Sequence, residues 1–225
     1  MSAAGFYGKL AARGDFIQRG LPSSFIEPWD AWLAAGIAAS QAELGAAWLD
    51  AYLVSPLWRF AVAPGLLGSD PVAGVMMPSI DRVGRYFPLC IVHPLAREAD
   101  LASLVGGPDD WFEAVEALLL STLEADAELE RFETAVAALE APRHGRCTPY
   151  DAGFQYVHFQ AGSPAERAAA LAQLSCEGAS LWWGAGGEGV AADLLCCSGL
   201  PPSRAFSAFL LGPVQPVQRD VESRR

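Results

Sequence analysis

Lysine is almost missing from this sequence: fourteen of the 15 basic residues are arginine, and Lys9 is the single lysine. Such a bias can follow genome composition and carries no function by itself. Histidine is scarce as well. The three histidines, at 93, 144 and 158, form neither H-x-x-x-H nor H-E-x-x-H, which argues against a histidine-led metal site. The 5 cysteines are odd in number, two of them are adjacent (Cys196 and Cys197), and no C-x-x-C occurs. That pattern argues against a disulfide framework and against the commonest zinc and redox motifs, and leaves buried free thiols acting as small hydrophobes. No apolar run approaches the roughly 20 residues of a membrane-spanning helix. The opening stretch "MSAAGFYGKLAARGD" has no apolar core of signal-peptide length, so a cytoplasmic location is expected. A basic stripe is also lacking. Net charge is −11, and nearly all of the excess lies in residues 101–140, which hold ten acidic residues and one basic. Nucleic acid and anionic membrane surfaces are therefore poor candidate partners.

The chain has 225 residues and is 52% hydrophobic, enough for one domain with a sizeable core. Residues 4–10 can start a strand. A loop punctuated by Gly14, Gly20 and Pro22 follows. Phe25, Trp29, Trp32, Leu33 and Ile37 recur at helical spacing, predicting a helix over 23–43 with Ser23 or Ser24 as its cap and Pro28 in its first turn or restarting it. A shorter helix is predicted over 45–55. "LWRFAVAPG", "VAGVMMPSI" and "RYFPLCIVHPL" read as three strands of an antiparallel meander. Helices are predicted at 108–123 and 126–140, with their acids mostly on the solvent side. After a loop, "FQYVHFQ" (154–160) reads as a strand. A helix at 163–175 opens with a capping box, Ser163 and Glu166, and with Pro164 at its first position. "ASLWWG" and "VAADLLCCSG" read as strands around a glycine-rich hairpin loop, and "SRAFSAFLL" as a helix or a strand. The fold class expected is α+β, with a largely antiparallel central sheet and helices packed on its faces.

Chemistry is hard to find in this pattern. "GFYGKL" lacks the second glycine and the Ser or Thr of a phosphate loop, and no G-x-S-x-G is present. Ser79, Asp81 and His93, or Cys90 with His93, lie close in sequence but in no constrained arrangement. A carboxylate site on Asp15 and Asp81 stays open. Each has an arginine nearby, Arg13 and Arg82, which points to pairing rather than free acid–base duty. What remains unexplained is a set of charges among apolar residues: Lys9, Arg13, Asp15, Asp30, Arg59, Asp81, Arg82 and Arg85. A charge in such surroundings must be paired, because removing an ion from water costs several kcal/mol. Either these residues lock sheet to helix or they form a working surface for a protein partner or an anionic ligand.

The stretches "GFYGKLAARGDFIQRGLP", "WDAWL", "PLWRF", "PSIDRVGRYFPL" and "SLWWG" together resemble TagF, an accessory protein of bacterial type VI secretion systems. The similarity is dense over residues 5–95 and returns at 180–184 and in "GLP" at 199–201. The family usually has a proline after "GKL", where this chain has Ala11. The resemblance implies a single TagF-like domain over 1–215, with a flexible tail at 216–225. It implies a non-enzymatic, cytoplasmic, post-translational repressor of type VI secretion, without cofactor or metal. The partner it implies is the forkhead-associated scaffold protein of the apparatus. The residues expected to meet that partner are Lys9, Arg13, Asp15, Arg59, Asp81, Arg82 and Arg85. A second expectation puts the contact on the acidic helices 108–140, and a lesser one on Thr148 of "TPYD", as a phosphothreonine with Asp151 three residues on. The alternatives are a structural or assembly subunit of the apparatus, or a hydrolase acting on a phosphorylated component.

Overall fold

Side chains alternate across a strand, so a strand buried along its whole length must be covered on both faces. β3 (Trp58–Val62) and β4 (Val72–Met77) are of this kind, as is β5 (Leu89–Pro94) up to its last residue. The computed structural model, which describes residues 3–146, 163–187 and 189–212, joins them into the expected meander. In chain order the remaining elements are β1 (Gly5–Gly8), β2 (Ile17–Arg19), α1 (Ser23–Leu44) and α2 (Trp48–Leu53) before the meander. After it come β6 (Ala99–Asp100), α3 (Leu101–Val105), α4 (Asp110–Ser121), α5 (Leu129–Ala137), β7 (Gly145–Arg146), α6 (Pro164–Ser175), β8 (Ala179–Gly184), β9 (Asp193–Ser198) and α7 (Ser207–Leu211). Seven strands form one sheet in the order β2-β1-β5-β4-β3-β8-β9, and every neighbouring pair is antiparallel. The protein is thus mixed α+β with helices on both faces of an antiparallel sheet.

One face is an aromatic core. α1 lays Phe25, Trp29, Trp32, Leu33 and Ile37 against Trp58 and Phe60 of β3 and Trp182 of β8, with Phe206 and Phe209 closing the far side. Trp29 packs at a tilt 4.8 Å from Phe60, and Trp32 lies 5.0 Å from Trp182. Such pairs contribute about 0.5–1.5 kcal/mol beyond their buried area. The indoles also pin the C-terminal part of the chain: Trp32 Nε1 donates to the Pro201 carbonyl at 2.8 Å and Trp58 Nε1 to that of Phe209 at 2.9 Å. "WDAWL", "PLWRF", "SLWWG" and "GLP", scattered in sequence, meet here. The opposite face packs Val75, Ile91 and Leu181 under α3, α4 and α5 through Leu104, Phe112, Val115 and Phe132.

Several local expectations need correction. Part of the loop after β1 is a strand, β2; it is only three residues long and buries only Ile17, too little for an alternating pattern. α1 carries no side-chain cap: Phe25 N and Ile26 N donate to the Pro22 carbonyl instead. Pro28 lies inside a helix that runs through it, rather than in its first turn. The segment 203–211 is helical, not a strand. α6 has the expected capping box, with Ser163 N donating to Glu166 Oε2 at 2.8 Å and Glu166 N to Ser163 Oγ at 3.2 Å. Cys90 and Cys176 are buried free thiols, but Cys196 is exposed on β9. The strand expected at 154–160, the tail after Gly212 and Thr148 lie outside the described residues.

α1 closely approaches the residue before α7 at Gly36, where a Cβ would sit 2.3 Å from the Phe206 ring. Helix propensity alone would make Gly36→Ala stabilising by about 1 kcal/mol. The collision reverses the sign. Thermal melting of Gly36→Ala should show a Tm lower by roughly 3 °C or more.

Candidate functional site

The charged set gathers at the end of β1 and in the loop between β4 and β5. "PSIDRVGRYFPL" leaves β4 at Pro78, closes a bridge between Ile80 and Tyr86, and enters β5 at Leu89. Within it Asp81 N donates to the Arg85 carbonyl at 3.0 Å and Gly84 N to the Asp81 carbonyl at 3.0 Å. Gly84 has φ +85°, a conformation that a side chain would strain, so glycine permits the turn.

Asp81 is the hub, and its side chain is 0% exposed. Oδ2 accepts from Lys9 Nζ at 2.8 Å and from Arg85 Nε at 2.7 Å; Oδ1 accepts from Val83 N at 3.0 Å and Arg85 N at 2.9 Å. Burial pushes the carboxyl pKa up, but the Lys9 ammonium and the Arg85 and Val83 donors outweigh it and hold the carboxyl well below the usual carboxylate range. Arg85 also reaches the next segment, with Nη2 donating to the Gly14 carbonyl and lying 3.9 Å from Asp15 Oδ1. Arg82 N donates to the Arg13 carbonyl at 2.9 Å, so the two loops run side by side. The Phe16 ring covers Lys9, whose Nζ is 5.0 Å from its centroid. The pairings expected from sequence proximity, Asp81 with Arg82 and Asp15 with Arg13, are replaced by Asp81 with Lys9 and Arg85, and Asp15 with Arg85.

Burial divides the predicted residues. Lys9, Arg59 and Asp81 are enclosed. Arg13, Asp15, Arg82 and Arg85 are exposed. Arg59 stands apart on β3, separated from β1 by β4 and β5. Its guanidinium holds Glu116 in a bidentate pair at 2.7 and 3.1 Å and Asp109 at 2.7 Å, locking the sheet to α4. Glu116, an acid expected on the solvent side of the 108–123 helix, therefore turns inward, while Asp109 reaches Arg59 from the exposed N-terminal end of α4. Asp30 on α1 accepts a 2.5 Å hydrogen bond from Tyr7 on β1.

The sequence reading missed two hydrophobic members of the exposed face, Phe16 (45% exposed) and Val83 (65%). Phe16 sits inside the quoted "RGDFIQ" and Val83 inside "DRVGR"; an apolar residue directly after a charged one in a loop was the available signal. Beside this face, an open cleft of about 390 Å³ is lined by Arg13 together with Glu128 and Glu130. A more apolar hollow of about 270 Å³ adjoins it, floored by Leu10, Leu118 and Phe132.

The nucleophile candidates are occupied elsewhere. Ser79 Oγ donates to the Lys9 carbonyl at 2.8 Å. Cys90 Sγ donates to the Tyr7 carbonyl at 3.2 Å among the α1-side residues, and burial pushes its thiol up to about 12. His93 faces the other side of the sheet, 6.4 Å from the Trp111 ring. Among the described residues no three His, Cys, Asp or Glu side chains gather so as to hold a metal ion, and no helix is long and apolar enough to cross a membrane.

Asp81→Asn leaves the buried Lys9 ammonium without its counter-ion, and should lower Tm by about 10 °C at neutral pH. Because the folded carboxyl titrates below its ordinary value of 3.8, its contribution is complete above that pH and is lost as pH falls below it. The gap in Tm between wild type and Asp81→Asn should therefore narrow as melts are taken from pH 7 to below pH 4. Arg82→Ala, whose side chain has no ion-pair partner among the described residues, should leave Tm unchanged within about 1–2 °C.

Comparison with known proteins accounts for this architecture. The model of the TagF N-terminal domain family, type VI secretion system-associated, matches residues 5–139, from β1 through α5 and thus across the whole charged set. The crystal structure of PA0076 from Pseudomonas aeruginosa PAO1 is similar at 60% sequence identity and a TM-score of 0.91, over 96% of this chain and 97% of that one. Among curated proteins no relative matches. With the family match spanning more than half of its length, the chain belongs to the TagF N-terminal domain family of type VI secretion system-associated proteins.

Proposed function

We propose that this protein is a cytoplasmic repressor of type VI secretion that works by binding, not catalysis, and that its partner is the forkhead-associated scaffold protein of the apparatus. Membership of the TagF family over residues 5–139 carries the reading. The geometry supports a binding role. Arg82 and Arg13 project from two loops tied together by a backbone hydrogen bond, beside the exposed Phe16 and Val83. Arginine and aromatic side chains are the groups enriched at protein interfaces, where the planar guanidinium bonds carboxylates in pairs and stacks on rings. Of the enclosed members, Lys9 and Asp81 hold this face in place and Arg59 fastens α4 to the sheet elsewhere; none of the three is a contact residue. Their partners are already inside the chain. The competing expectation, contact through the acidic helices, is weakened because Asp109 and Glu116 spend their charge on Arg59.

A pull-down with the full chain against all cytoplasmic type VI components, followed by deletion of the gene, tests the reading. The expected outcome is capture of the forkhead-associated scaffold and raised secretion in the deletion strain. Stoichiometric presence in the assembled apparatus with no rise in secretion on deletion would favour the structural-subunit alternative. Turnover of a generic phosphate ester by the purified protein would favour the hydrolase.

A further inference from the structure

We infer that the face formed by loops 11–16 and 81–85 takes an unphosphorylated, glutamate- or aspartate-rich segment of its protein partner, with apolar side chains of that segment resting on Phe16 and Val83. This deepens the binding role proposed above and rests on it.

The chain carries a net charge of −11, so a positive area needs a reason. On this face three guanidiniums, Arg13, Arg82 and Arg85, stand against one exposed carboxylate, Asp15. Lys9 and Asp81 beneath them cancel. Arg13 and Arg82 have no ion-pair partner among the described residues. The supports are fixed in advance: Arg82 N binds the Arg13 carbonyl at 2.9 Å, and Arg85 is held by Asp81 at 2.7 Å. A face already ordered loses less freedom on binding. Complementary charge then selects an acidic partner and speeds its approach.

The chemistry favours carboxylates over a phosphate. A phosphate is held either by free backbone N–H groups or by guanidinium forks, in each case converging on one point. In this turn the N–H groups of Val83 and Arg85 are both taken by Asp81 Oδ1, and Gly84 N by the Asp81 carbonyl. The Arg85 fork is partly used by Asp81 and the Gly14 carbonyl. What remains is guanidinium charge spread over two loops, which suits several acids along an extended segment. The neighbouring cleft sets the limit of the site: Glu128 and Glu130 line it together with Arg13 and repel carboxylates, so the acidic stretch lies across the two loops and does not enter the cleft.

The test is fluorescence anisotropy on the full chain with three labelled twelve-residue probes: one with six glutamates and two leucines, one with glutamine at the six positions, and one with a single phosphoserine in the glutamine background. The glutamate probe should bind at least about tenfold tighter than the glutamine probe, and tighter than the phosphoserine probe. Its affinity should fall as salt rises from about 50 to 300 mM. The double variant Arg13→Glu with Arg82→Glu should weaken it about tenfold further while keeping the wild-type Tm. Equal binding of the glutamate and glutamine probes, an unaffected double variant, or binding of the phosphoserine probe alone would each overturn the inference. Scaffold capture separates the two claims. If wild type captures the scaffold and the glutamate probe does not bind, the inference fails and the repressor reading stands. If the probe binds in the predicted way and no scaffold is captured, the inference stands and the choice of partner fails.

Discussion

The ion pair between Lys9 and Asp81 is the contact on which the candidate face depends. Two residues 72 positions apart are joined at 2.8 Å beneath the surface. A buried charge pair of this kind is not a strong source of stability, because desolvating both ions offsets much of their attraction. Its effect is geometric. The carboxylate accepts four donors, from the end of β1, from two amides of its own loop and from Arg85, and so allows only one arrangement of those segments.

From that constraint the rest of the face follows. With the 81–85 loop fixed, Arg85 reaches across to Gly14, and the loop backbone bonds that of Arg13. Phe16 closes over Lys9 and packs 4.8 Å from Phe87, leaving part of its ring in solvent. Charges that looked like one group in the sequence are in fact two layers: a buried layer that determines shape, and an exposed layer of guanidiniums that the shape presents. The Arg59 cluster is a separate lock on the opposite face of the sheet, fastening α4 to β3.

Much of the fold was legible because it is written in local periodicity. The Trp29, Trp32, Leu33 and Ile37 spacing marks α1, the short apolar runs mark the meander, and Ser163 with Glu166 marks the start of α6. β2 and α3 were not legible, since three and five residues without a clear apolar alternation or turn are too short to repeat a pattern. α3 did leave one sign: Asp100 caps it, its Oδ1 accepting from Ala102 N at 3.0 Å. The site was legible as a set of residues but not as a set of pairs. Sequence proximity suggested Asp81 with Arg82, whereas the turn at Gly84 brings the exposed Arg85 back onto Asp81 and leaves Arg82 without an ion-pair partner among the described residues. Arg59 finds its partners 50 and more residues away, on a helix that the sequence marks as acidic without showing which acids turn inward.

The central claim is that the exposed layer meets the partner while the buried layer only supports it. Amide hydrogen exchange on the purified protein, with and without the forkhead-associated scaffold, tests this most directly. The account predicts new protection at residues 11–16 and 82–85, and little change along α4 and α5. Protection confined to the acidic helices, with the two loops exchanging as in the free protein, would contradict it.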